Sequence, residues 1–321
     1  MNQAADDNKK EVFAFVPSYN HAAFIEKCLR SIMNQTFKPK KLLVIDDGSK
    51  DDSVKIIERV LKDSPFDCEL IARQNRGLCA TLNEGFAKSS GEYFAYLGSD
   101  DVWLAEFLAE RVKLLNSRPD AVLAYGHAFT IDAADDIVDC SAEWAQFPDG
   151  DARPMIERGL APFSPTVCYR SKALENTGWN ESAGLEDYEL YLQLCGKGEF
   201  AFDRTVLAAW RQHASNTSHD WHFMLDEVLA AQRRYAEQNR IGEKHLAEMQ
   251  AATKLLYSET LARSGDKRAA FSLFFKSLSE IDSAAAAAKS MMRLLTPMPV
   301  LQRFRQKRKQ RATRKYGKIK I

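Results

Sequence analysis

Residues 42–61 read LLVIDDGSKDDSVKIIERVL. Leu42–Ile45 is a short apolar run and predicts a strand. A polar turn, Asp46-Asp47-Gly48-Ser49, follows it. Asp51, Asp52 and Ser53 then offer caps for a helix whose apolar side carries Val54, Ile57 and Leu61. The unit is strand, acidic turn, helix. It recurs on both sides. Val12–Val16 predicts a strand before a helix with Phe24, Cys28 and Ile32 on one face. Glu69–Ala72 predicts a third strand and 77–89 a third helix. Tyr93–Leu97 predicts a fourth strand, and Leu104, Leu108, Val112 and Leu115 mark a fourth helix. Such alternation predicts an α/β protein with a single mainly parallel sheet flanked by helices. Ligands of such sheets bind beyond the carboxyl ends of the strands, so the polar segments there are the candidate site.

Further along, the periodicity loosens. Residues 121–130 predict one or two strands, 132–162 an irregular excursion, 166–169 and 206–211 further strands, and 187–194 a helix. From 221 to 295 the pattern is helical, and Pro297 and Pro299 interrupt it. The expected division is a catalytic domain over 1–220, a helical C-terminal appendage over 221–295 and a basic tail over 296–321.

A chain of 321 residues accommodates one catalytic domain with an appendage. Its 45% hydrophobic and 28% charged content is that of a soluble globular protein. No apolar run approaches the ~18–20 residues of a membrane-spanning helix. The polar N-terminus, MNQAADDNKKE, lacks the apolar core of a secretory signal. Six cysteines without a C-x-x-C pair read as free thiols in a reducing cytoplasm. The net charge of +1 hides an asymmetry: eleven Lys or Arg and no Asp or Glu lie between Arg293 and Ile321, which leaves 1 − 11 = −10 on the rest.

Five polar constellations carry candidate chemistry. Pro17-Ser18-Tyr19-Asn20 reads as a turn, or as an aromatic platform for a nucleobase. Asp46-Asp47 reads as turn chemistry, or as a carboxylate that accepts the N3–H of uracil or thymine. Asp100 and Asp101 cap a helix, or share a hard divalent cation such as Mg²⁺ or Mn²⁺ with substrate phosphates. Glu186-Asp187 complements a helix dipole, or supplies a general base. Arg211 and His213 begin a polar loop, RQHASNTS, that is either structural or holds a diphosphate and a metal. The position after strand one holds PSYNHA and no Gly-rich fingerprint, which argues against a dinucleotide-dependent oxidoreductase.

Taken together, VPSYN at 16–20, SIMNQTF at 31–37, VIDDGSKDDS at 44–53, NRGLCATLNEGFAKSSGEYFAYLGSDD at 75–101, TGWNESAGLEDYELYLQL at 177–194 and WRQHASNTS at 210–218 resemble the family 2 glycosyltransferases, inverting enzymes of the glycosyltransferase A fold. The resemblance covers about two thirds of the chain. It implies that Pro17 and Tyr19 border the nucleobase and that Asp47 accepts its N3–H. Arg76 would lie near the base or diphosphate, Asp100 by the ribose and diphosphate, and Asp101 on the metal. Asp187 would be the catalytic base with Glu186 beside it, and Arg211 and His213 would approach the diphosphate or metal. The implied activity is transfer of one sugar from a nucleotide diphosphate donor, UDP- or dTDP-linked, to an acceptor hydroxyl with Mn²⁺ or Mg²⁺. The usual setting of relatives is bacterial surface polysaccharide or lipid-linked glycan assembly. One departure stands out. Many members have an aspartate where this chain has Gly98, and the alternative to a working transferase is a catalytically impaired sugar-nucleotide-binding or scaffold protein.

The tail sets apolar residues beside RQKRKQRATRKYGKIK. That mixture suits an anionic membrane surface, a solvated tail or an RNA partner, with the membrane favoured and no nucleic acid expected. The expected location is cytoplasmic, peripheral on the inner face of the plasma membrane.

Overall fold

The computed structural model describes residues 11–214, 216, 219–278 and 284–321. The polar N-terminal stretch and Ser215, Thr217 and Ser218 of the polar loop lie outside the described residues. The chain opens with β1 (Val12–Ser18), α1 (Ile25–Met33), β2 (Lys41–Asp46), α2 (Ser53–Leu61), β3 (Asp67–Ala72), α3 (Leu78–Ala87) and β4 (Tyr93–Tyr96). All seven residues of β1 are buried. A strand covered on both faces has no polar side to alternate with, so it reads as an unbroken apolar run. One core lies on each side of it. Phe13, Phe15, Leu43 and Phe94 point to one. Val12, Ala14, Leu42 and Val44 point to the other, under Cys28, Leu29 and Ile32 of α1.

Next come β5 (Val102–Trp103), α4 (Phe107–Ser117), β6 (Ala121–Asp132), β7 (Ile137–Cys140), α5 (Arg153–Ile156), β8 (Cys168–Arg170), α6 (Ser171–Leu174), α7 (Asp187–Cys195) and β9 (Glu199–Gln212). The sheet runs β3-β2-β1-β4-β8-β6-β9-β5, with β7 on β6. The pairs β1–β2, β2–β3, β1–β4 and β6–β9 are parallel. The pairs β4–β8, β6–β8, β6–β7 and β5–β9 are antiparallel. The sheet is therefore mixed: the mainly parallel expectation holds, its first half is parallel throughout, and the short antiparallel ladders all involve strands from β5 onward. The reason is local. Residues 132–136 close a hairpin between β6 and β7, with Asp135 at positive φ and the Asp136 N–H on the Asp132 carboxylate. Antiparallel strands joined this way need no crossover helix, so the βα rhythm stops.

The C-terminal helices are α8 (Trp221–Asn239), α9 (Glu243–Ser264), α10 (Lys267–Ser277), α11 (Ala284–Leu295) and α12 (Met298–Tyr316). Helix α8 braces α7. Gln232 donates to the Tyr188 hydroxyl at 2.9 Å, and Arg234 meets Glu189 at 2.7 Å. Helix α12 docks on β7, where the Thr313 hydroxyl donates to Ile137 O and Ile319 lies buried beyond the helix end.

Candidate active site

The loops after β1 and β2 are knitted together. Asn20 N–H donates to Ser49 Oγ and Lys50 N–H to Asn20 Oδ1, both at 2.8 Å. His21 N–H donates to Ser53 Oγ at 3.0 Å and Ala22 N–H to Asp51 at 2.9 Å. Gly48 takes φ +84 where a Cβ would stand 2.9 Å from Asn75 N, so the second loop also packs against the one after β3. Tyr19 projects from this platform and is 45% exposed, whereas Pro17 is buried in β1 opposite Ile45.

Asp47 is buried and well supplied with donors. Its Oδ1 accepts from the Arg76 N–H at 2.9 Å and from the Arg73 guanidinium, and its Oδ2 accepts from the Gly77 N–H at 2.8 Å. The Arg76 side chain is exposed and reaches towards Glu84. Gly77 in turn lines a cleft of about 130 Å³ with Arg76, Cys79, Ala183, Gly184 and Glu186. The segment that holds Asp47, at 76–80, and Glu186 therefore line one opening.

The acids after β4 sit behind it. Asp100 Oδ2 lies 3.0 Å from His213 Nε2, and Asp100 Oδ1 lies 3.9 Å from His21 Nδ1. One ligand-capable atom from each of His21, Asp100 and His213 falls within 4.8 Å of the others. Asp101 is buried, with Oδ1 accepting the Arg211 N–H at 2.7 Å. Burial, and then the charge of Asp100, push its carboxyl well above the usual range. Burial also works against ionisation of Asp100. The bond from His213 and the field of His21 outweigh it and hold that carboxyl low. Burial lowers His21. Glu186 and Asp187 open α7 as half-buried side chains. Burial and the Asp100 charge raise Glu186. Burial and Glu186 lift Asp187 to about 8. These mutual fields tie the acids of β4 and α7 to one region, because charges interact strongly only at short range in a protein.

Arg211, at the end of β9, stands beside the acid pair. Its side chain is 1% exposed, and the guanidinium donates to Asp100 O and Asp132 O and ion-pairs with the Asp135 carboxylate. Its backbone N–H is the group that touches the acid pair. Sequence reading passed over two site residues. His21 belongs to the segment after β1, and Arg73 directly follows β3. Extending the strand-end rule to every strand would have found both.

The donor set fits a divalent cation. Two imidazoles and a carboxylate suit a borderline ion such as Mn²⁺ better than Mg²⁺, which favours oxygen alone. Asp101, whose carboxyl burial and the Asp100 charge push well above the usual range, is a further acid whose ionisation a cation would favour.

Comparison with known proteins gives the following. The model of "Glycosyl transferase family 2" matches residues 13–168. An uncharacterized glycosyltransferase of Nostoc sp. is 29% identical over 169 residues, which is 51% of this chain and 52% of that protein. Chondroitin synthase of Escherichia coli is 26% identical over 64% of this chain and 30% of its own length. The chain thus spans about half the length, or less, of these curated relatives. Among solved structures, S. aureus TarS 1–349 in complex with UDP-GlcNAc superposes with a TM-score of 0.60 at 15% identity, covering 92% of each chain. The mannosyltransferase PcManGT from Pyrobaculum calidifontis, in complex with GDP-Man and Mn²⁺, gives 0.59 at 16% identity, covering 94% of this chain and 85% of that one. At such identities the likeness shows the fold.

Proposed function

We propose that this chain, whose residues 13–168 match glycosyl transferase family 2, is an inverting, metal-dependent glycosyltransferase acting on a nucleotide diphosphate sugar. The observation that carries the proposal is the cluster of His21, Asp100 and His213 within the fields of Asp101 and Glu186. His21, Asp100 and His213, with Asp101 behind them, would hold the cation, which supplies charge neutralisation for the departing diphosphate.

The remaining roles fall to the chain's own groups. Tyr19 stacks on the nucleobase from the cleft rim. Asp47 Oδ2 takes one N–H, from Gly77, and keeps acceptor capacity for an imide N3–H. That favours UDP- or dTDP-sugars over cytidine nucleotides. Arg76, exposed where it lines the cleft, would meet a phosphate. Asp187 removes the proton of the acceptor hydroxyl as that oxygen attacks the anomeric carbon from the face opposite the leaving group. One displacement inverts the centre, and no covalent sugar–enzyme intermediate is needed. Glu186 keeps Asp187 basic by opposing its ionisation. The proposed acceptor is a glycan or lipid-linked hydroxyl in bacterial surface polysaccharide synthesis, by family analogy.

Thermal-shift screening of nucleotide sugars with Mn²⁺, Mg²⁺ or EDTA tests the reading, followed by product analysis with the best donor. A cation-dependent shift with UDP- or dTDP-sugars is expected. Absence of a shift with every nucleotide sugar in Mn²⁺ would break it. Donor binding with only slow hydrolysis would favour the impaired-scaffold alternative suggested by Gly98.

A further inference from the structure

The basic C-terminal segment is two surfaces back to back. On one side of α12, Arg308 meets Asp139, Lys309 lies 3.2 Å from Asp132, and Lys315 lies 2.8 Å from Glu143. Ala312 is buried there, and the segment beyond the helix continues onto the hairpin through Ile137 N–H to Gly317 O at 2.9 Å and Ile319 N–H to Asp135 O at 3.0 Å. Part of the positive charge is therefore spent on the acidic edge of the fold. It fixes how the helix sits.

The other side is different. Residues 300, 304, 307, 311 and 314 recur at helical spacing and share one face. They are Val300, Phe304, Lys307, Arg311 and Arg314, all exposed, with Arg303 flanking them. Among the described residues, no acidic group lies within ion-pair distance of these four bases. Helix α11 ends beside the start of α12 and adds apolar surface. Met292 is 68% exposed and Leu295 64%, and on α12 Phe304 is 65% exposed. Exposed large apolar groups grouped with unpaired bases are unfavourable in water. They match an anionic bilayer, where the apolar groups enter the headgroup boundary and the bases meet lipid phosphates. An RNA partner would use the bases and leave Met292, Leu295 and Phe304 without a role.

We infer that α11 and the outward face of α12 form a docking surface for an anionic membrane, with Met292, Leu295, Val300 and Phe304 as anchors and Arg303, Lys307, Arg311 and Arg314 as headgroup contacts. The chain lies on the bilayer. No helix among the described residues is long and apolar enough to cross one. The inference rests on this surface alone, so it stands or falls separately from sugar transfer.

The test is co-sedimentation of the full chain with phosphatidylcholine vesicles, with and without phosphatidylglycerol. Wild type should partition strongly only onto the anionic vesicles, and less as salt rises. Lys307→Glu/Arg311→Glu/Arg314→Glu should weaken partition by more than ~10-fold, since three bases near an anionic surface are lost. Phe304→Ser alone should weaken it by several-fold. A charge-matched control, Lys62→Glu/Lys172→Glu/Arg204→Glu, should retain most of the binding. Circular dichroism and melting should stay close to wild type, because among the described residues none of the altered outward groups has an acidic group within ion-pair distance. Three results would overturn the inference: equal partition onto neutral and anionic vesicles, equal loss in the control, or saturable RNA binding by a chain that ignores vesicles.

Discussion

Asp47, buried after β2, and Asp187, half-buried at the start of α7, are both aspartates, and the protein treats them in opposite ways. Asp47 faces Arg73 and two backbone N–H groups, which satisfy its charge. Asp187 has Glu186 as a neighbour and little to offset burial, and its carboxyl rises to about 8. The lesson concerns donors. A buried carboxylate met by N–H groups is part of the framework. One whose donors, here the backbone N–H groups of Asp187 and Tyr188, do not offset burial and an acidic neighbour is raised to about 8, and that poise is what a general base near neutral pH requires.

The sharpest way to break this contrast is Asp187→Asn. Sugar transfer should fall by ~10²–10⁴-fold, the contribution of a positioned base, while donor affinity measured calorimetrically stays within a few-fold. Near-normal turnover would remove Asp187 from its role. Stability should move in opposite directions at the two sites. Asp47→Asn strips the charge facing Arg73 and sets an amide against N–H donors. A loss of ~2–4 kcal/mol is expected, with a melting temperature lowered by several degrees. Asp187→Asn should leave melting unchanged near pH ~4 and raise it progressively above wild type towards pH ~8, as the wild-type carboxylate loses the proton that burial favours.

The pH dependence follows with its sign. Asp187 titrates near 8 in the fold and near ~3.9 when unfolded. The unfolded chain therefore binds fewer protons between those values. The contribution of this carboxyl is full below pH ~4 and is lost as pH rises towards 8. Raised Glu186 and Asp101 act in the same direction. Melting of the protein in EDTA should decline over that range, Asp187→Asn should flatten the decline, and Mn²⁺ should oppose it. A melting temperature that climbs steadily from pH 5 to 8 in EDTA would contradict the assigned shifts. The smallest effect belongs to Gly98→Asp. A Cβ there would lie 3.1 Å from both Asp100 Oδ1 and Asp101 Oδ2. A third carboxylate should lower stability by ~1 kcal/mol without cation through like-charge repulsion. Mn²⁺ should recover that loss, as melting curves with and without the ion would show.

The first half of the fold was legible because it is built from local signals. Each apolar run made a strand, each polar strand end made a loop, and each amphipathic stretch made a helix. The second half was not. β8 and β9 gain their places by pairing with β4 and β6 across long separations, and sequence spacing carries no record of such partners. The same limit applied to the site. Asp100, Asp101, Glu186 and Asp187 were readable as acidic pairs at element ends. That His21 and His213 meet at Asp100, and that Arg73 sits on Asp47, depends on loops from distant strands arriving together.

By itself, the sequence determined residue types and their local setting: which stretches fold as strand or helix, and which acids stand at strand ends. The tertiary structure alone decided which acids receive donors, which are left to hold protons, and which bases of the C-terminal helix face the fold rather than outward. Ionisation and ion pairing depend on what lies within a few ångströms, and for these groups the neighbours come from remote parts of the chain.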